Sequence, residues 1–140
     1  MSTAKEEVRK ILDQIPGGTV DAVASGVGTG GTLVGLFQGL LESGCPVVPV
    51  LARPVDVRLE REIECCSIFS HRIPGVVDCL SDIFREADLP GLVTVEVNDG
   101  DALETARRLI RRGFPVGPSS GLNYAAAVAA SRRLGRPEAR

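Results

Sequence analysis

Val8, Ile11 and Leu12 recur at helical spacing within a charged stretch, and Thr3 stands three positions before Glu6, as in a capping box. The pattern predicts a helix over residues 3–14, stopped by Pro16, Gly17 and Gly18. Residues 19–25 are short and β-branched like a strand; they run into a glycine-rich turn and then a helical stretch over residues 33–42, closed by Gly44. Residues 47–51 are almost wholly apolar, which predicts a strand covered on both faces. A further strand over residues 92–97 leads to Asn98 as helix N-cap, with Asp99 and Asp101 in the first turn of a helix that reaches residue 112 and is closed by Gly113. Residues 114–116 read as a brief apolar strand that breaks into a second glycine turn, and residues 122–134 as an alanine-rich helix ended by Gly135 and Pro137. Between them, residues 53–84 are less patterned: 57–64 read as helical and 65–74 as a connecting loop.

Helices alternate with strands throughout, so the expected fold class is α/β, a doubly wound, mostly parallel sheet with helices on both faces. A length of 140 residues suits one such domain, and no internal repeat, low-complexity tract or linker divides it. In sheets of this kind ligands bind beyond the carboxyl ends of the strands, where both glycine turns are expected.

Composition acts mainly by exclusion. Hydrophobic residues at 44% and charged residues at 24% are those of a globular protein. The net charge is −2 and no basic block is interleaved with aromatics, which argues against nucleic acid as a partner. Arg107, Arg108, Arg111 and Arg112 fall in the last turn of a predicted helix, where cations favour the dipole. No apolar run approaches the ~18 residues of a membrane span and the first residues are polar, so the expected location is cytoplasmic, away from the membrane. Cys45, Cys65, Cys66 and Cys79 have neither zinc-site spacing nor the density of a disulfide scaffold; they read as reduced, mostly buried thiols, and no metal is expected. His71, the single histidine, reads as a hydrogen-bonded structural side chain, and no catalytic residue is assigned.

The first turn carries the chemistry. Gly26, Gly28, Gly30, Gly31 and Gly35, with Thr29 and Thr32, surround a strand-to-helix junction, so backbone N–H groups can converge on a ligand at a helix N-terminus. A phosphate group suits that arrangement. Gly26, Gly28 and Gly31 also satisfy the dinucleotide pattern, and Arg53 after the second predicted strand would suit an NADP phosphate, so an NADP-binding Rossmann-like domain is an alternative. The second turn, Gly117, Pro118, Ser119, Ser120 and Gly121, offers two hydroxyls at another helix start, where a serine N-cap is the plain reading.

Together the two turns resemble those of the fold-type II pyridoxal-phosphate enzymes, nearest to cysteine synthase and cystathionine β-synthase. Gly28, Thr29, Gly30, Gly31 and Thr32 are similar to that family's phosphate loop, and Gly117 to Gly121 to its ring-nitrogen turn. The run His71, Arg72, Ile73, Pro74, Gly75 and Val76 resembles the loop that approaches cofactor and substrate. The resemblance implies pyridoxal phosphate as cofactor, held at its phosphate by Gly28 to Thr32 and at its ring nitrogen by Ser119, with Gly75 near the substrate amino group. Val77 stands where the family often has a second glycine.

By the same resemblance, the lysine that holds the cofactor covalently belongs to a portion preceding everything matched here. The expected protein is therefore the cofactor-binding portion of a β-replacement enzyme, forming cysteine or cystathionine from an activated serine such as O-acetylserine, inactive alone and shortened at both ends. Its expected partners are a small amino-acid substrate and either a complementary N-terminal half or further copies of the chain. A non-catalytic interaction module derived from the enzyme is a further alternative.

Overall fold

The computed structural model of the chain describes residues 4–27, 31–55 and 88–135. Helix α1 (Ala4–Gln14) precedes strand β1 (Ala22–Ser25), helix α2 (Gly31–Glu42) and strand β2 (Val48–Val55). Strand β3 (Val93–Asn98), helix α3 (Asp99–Arg111) and helix α4 (Pro118–Arg133) follow. The three strands form one sheet in the order β1-β2-β3, parallel throughout, with Ser25 opposite Leu51 and Val55 opposite Asn98. Side chains alternate across it as the pleat requires. Leu51 joins Val8, Leu33, Phe37 and Leu40 in a core under α1 and α2, whereas Val50 and Ala52 join Val95, Val97, Leu122 and Ala126 in a second core under α3 and α4. Helices cover both faces, as in a doubly wound fold.

β2 is central and nevertheless carries Pro49 and Pro54, residues that cannot donate to a ladder. Staggered pairing accommodates them: Pro49 lies in the stretch bonded only to β1 and Pro54 in the stretch bonded only to β3. At each proline one side of the strand has no described ladder for the missing N–H to serve. This also corrects the expected end of the strand at residue 51, since Arg53 and Pro54, which look like a break, continue β2 to Val55.

β1 begins at Ala22 rather than residue 19, its ladder opening with the Val48 N–H donating to the Asp21 carbonyl (2.9 Å). α2 begins at Gly31, two residues before the expected start. Within α1, Val8 is fully buried and Leu12 packs on the core, but Ile11 is 40% exposed; the expected capping residue Thr3 lies outside the described residues.

The expected strand at residues 114–116 is absent. Gly113 (φ +93°) ends α3, its N–H reaching the Ile110 carbonyl at 2.9 Å while the Phe114 N–H reaches Leu109 at 3.1 Å. This paired closure spends the Phe114 amide on the helix end, and Phe114 stays 55% exposed. Asn98 caps α3 as expected, its side chain accepting from the Gly100 N–H at 2.7 Å. Arg107 and Arg111 both face Glu104, at 3.8 and 3.5 Å, as exposed ion pairs. Cys45 is buried and free, and Cys65, Cys66 and Cys79 lie outside the described residues. No described helix is long and apolar enough to cross a membrane.

α4 starts at Pro118, four residues earlier than expected, and packs on all three strands. Leu122, Ala126 and Ala130, spaced by four, form its buried stripe against the sheet. On the side toward α3, Gly121 lets the two helices come close enough that a Cβ there would meet the Ala102 carbonyl, the Ala106 nitrogen and the Ala106 methyl.

Candidate cofactor-binding site

Parallel strands place their carboxyl ends at one edge, and the helices that follow begin there. β1 ends at Ser25 and α2 starts at Gly31; β3 ends at Asn98 and α3 starts at Asp99. α4 runs against the strands in the same sense. Near its start, Asn123 contacts Gly26 just beyond β1, and at its far end Arg133 donates to the Thr94 carbonyl at 3.2 Å, near the opening of β3. Three helix N-termini therefore gather at the carboxyl edge, each contributing partial positive charge.

Of the residues expected to hold the phosphate, Gly31 and Thr32 open α2, both exposed, while Gly28, Thr29 and Gly30 lie outside the described residues. Gly75 and His71 also lie outside them. Ser119 is the second residue of α4 and half-buried.

The serine-cap reading of the second turn is corrected: the N-cap is Gly117, which offers no side chain, and Pro118 takes the first helical position. Pro118 has no N–H, and the Ser120 and Gly121 N–H groups turn back on the Gly117 carbonyl at 3.1 and 3.3 Å. The Ser119 hydroxyl has no hydrogen bond among the described residues. A Cβ added to Gly117, the N-cap two residues before Ser119, would meet nothing within 4 Å.

The two turns are connected directly. The Gly26 N–H donates to Asn123 Oδ1 at 2.7 Å, and the Ser25 hydroxyl, itself buried, donates to the Gly26 carbonyl at 2.8 Å. Both backbone polar groups of Gly26 are thus held by side chains. Neither Ser25 nor Asn123 stood out in the sequence. The available signal was an asparagine within an alanine-rich helix, where its side chain gains little unless it has a specific partner.

Arg53 does not sit at a strand end, as a residue reading a dinucleotide would. It lies within β2 and pairs with Glu96 of β3 at 3.0 Å. The positive ends of the helices at this edge and the half-buried Ser119 hydroxyl fit a phosphate-bearing cofactor.

Residues 1–139 match the family model described as pyridoxal-phosphate dependent enzyme. The cysteine synthase of Haemophilus influenzae is 37% identical over 125 residues, covering 85% of this chain and 38% of that protein. Cysteine synthase B of Campylobacter jejuni is 30% identical over 134 residues, covering 95% and 42%. Among solved structures, a hydrogen sulfide-producing enzyme superposes with a TM-score of 0.67 at 30% identity, covering 84% of this chain and 34% of that one. O-ureido-L-serine synthase superposes with a TM-score of 0.66 at 25% identity, covering 92% and 40%. The chain spans about two fifths of the length of the curated relatives it matches (38% and 42%). With its parallel sheet, its paired glycine turns and this family match along nearly its whole length, the chain belongs to the fold-type II pyridoxal-phosphate-dependent enzymes of the cysteine synthase family.

Proposed function

We propose that these residues are the cofactor-binding portion of a β-replacement enzyme of cysteine synthase type, acting on O-acetylserine or a similarly activated serine. The observation that carries the reading is the bond from the Gly26 N–H to Asn123 of α4, which brings the approach to the phosphate loop against the helix bearing Ser119. Gly28, Thr29, Gly30, Gly31 and Thr32 would receive the phosphate, the α2 N-terminus favouring its negative charge. Ser119 would donate or accept a hydrogen bond at the ring nitrogen. When bound, pyridoxal phosphate supplies an electron sink for chemistry at the amino-acid α- and β-carbons. A neutral hydroxyl at the ring nitrogen, unlike a carboxylate, does not strongly stabilise its protonated form. Gly75 would lie on the substrate side.

Pyridoxal phosphate is expected to raise the Tm of the polypeptide and NADP to leave it unchanged. At about 100 times Kd a ligand stabilises by about 2.7 kcal/mol, a rise of several degrees in Tm. A rise with NADP alone would favour the dinucleotide reading, which has only the engaged Arg53 for the extra phosphate.

In an enzyme assembled by adding the preceding portion of a related cysteine synthase, Ser119→Ala is expected to lower kcat by about tenfold or more while changing cofactor Kd less than threefold. The hydroxyl is assigned to ring electronics, whereas the phosphate contacts dominate retention. Equal turnover by variant and parent would remove Ser119 from that role.

A further inference from the structure

Gly26 is the first residue after β1, one position beyond Ser25, which faces Leu51 at the end of the described ladder. A backbone donor in a half-buried place needs a partner, and the Gly26 N–H finds it 97 residues away in the Asn123 side chain, at 2.7 Å. The Gly26 carbonyl is occupied by the buried Ser25 hydroxyl at 2.8 Å. Both backbone polar groups of Gly26 are therefore held immediately before the glycine turn, and one of the two anchors belongs to the helix that carries Ser119 four residues earlier.

We infer that Asn123 is a positioning residue for the phosphate turn, setting where the loop leaves β1 relative to the start of α4. The inference rests on the pyridoxal-phosphate reading of the site. A phosphate and a ring nitrogen sit at fixed separation within one rigid molecule, so the two turns must keep a fixed separation to hold both ends. Without the Asn123 carbonyl the turn would remain attached to β1 and α2, but nothing described would tie its first peptide to α4. Such preorganisation by a supporting hydrogen bond governs how well a site grips a ligand without touching it.

The test compares the 140-residue polypeptide with Asn123→Leu, which removes the acceptor at similar volume, and Asn123→Asp, which keeps one. Amide exchange and backbone chemical shifts report on the turn without any cofactor. In Asn123→Leu the Gly26 N–H is expected to exchange at least tenfold faster, and the Gly31 and Thr32 amide signals to move or broaden. In Asn123→Asp the Gly26 protection is expected to return. Pyridoxal phosphate titrated by fluorescence is expected to bind Asn123→Leu at least tenfold more weakly than the parent.

A purely structural asparagine would give a lower Tm with unchanged Kd and unmoved Gly31 and Thr32 signals, and that result overturns the assignment. If the parent itself binds no pyridoxal phosphate, the proposed function fails. The positioning role is then decided by exchange and shifts alone, and unchanged Gly31 and Thr32 signals in Asn123→Leu refute it. Should Asn123→Leu not fold, Asn123→Asp decides: loss of Gly26 protection with an acceptor in place would refute the bond.

Discussion

Gly121→Ala is expected to lower Tm by roughly 10 °C, a loss of about 3 kcal/mol from forcing an atom into a packed contact. Ordinarily the sign is opposite, since alanine stabilises a helix interior by up to about 1 kcal/mol over glycine. The neighbours decide which effect wins. At Gly121 the added methyl would meet the Ala102 carbonyl, the Ala106 nitrogen (2.8 Å) and the Ala106 Cβ (2.9 Å), two of them backbone atoms that move only if α3 moves. Gly35, within α2, is the internal comparison, because a Cβ there meets nothing within 4 Å. Gly35→Ala is accordingly expected to raise Tm by one to a few degrees. Thermal melts of the two variants side by side check the prediction, and a neutral Gly121→Ala would show that α3 and α4 separate without penalty.

The largest expected effect on chemistry concerns lysine. Lys5 and Lys10 are the two lysines of the sequence. Both are exposed on α1, a helix held to the sheet by buried Val8 and packed against α2. Neither is placed at the carboxyl edge of the strands by any described contact. The 140-residue polypeptide is therefore expected to bind pyridoxal phosphate without a covalent link and to convert O-acetylserine no faster than the free cofactor does. Supplying, as a second chain, the preceding portion of a related cysteine synthase is expected to raise the rate by about a thousandfold or more, as a positioned amine and general base enter the site. The measurements are sulfide-dependent cysteine formation and mass spectrometry after borohydride reduction. A stoichiometric reduced adduct on Lys5 or Lys10, together with turnover by the polypeptide alone, would refute the incomplete-site reading.

What the sequence disclosed depended on whether the deciding contact was local. Asn98 was legible as a cap because its partner, Gly100, is two residues away. Gly44 and Gly113 were legible as helix stops for the same reason, each closing the helix just before it. Alternating strands and helices disclosed the parallel sheet and its two covered faces. The length of β2 was not legible, because Pro54 breaks strands except where one side is unpaired, and that stagger is a tertiary fact. Nor could the apolar trio Phe114, Pro115 and Val116 be told from a strand until the helix end claimed the Phe114 amide. At the candidate site, the glycines and Ser119 are assigned from residue type and order alone. Asn123 could not be, since its meaning lies in Gly26.

α4 reaches all three strands, yet it follows β1 by nearly a hundred residues, as the 97-residue separation of Gly26 and Asn123 measures. During synthesis, the sheet face formed by Val50, Ala52, Val95 and Val97 thus has no cover from Leu122, Ala126 and Ala130 until those residues have left the ribosome. A parallel sheet gains little from local pairing, so most of its stabilising contacts arrive late and together. Before then, the nascent chain presents an apolar sheet face of the kind that chaperones hold and that aggregation exploits. The contact that ties Gly26 to α4 is among those late ones. The bond that holds Gly26 thus forms in the same folding step that covers the second core.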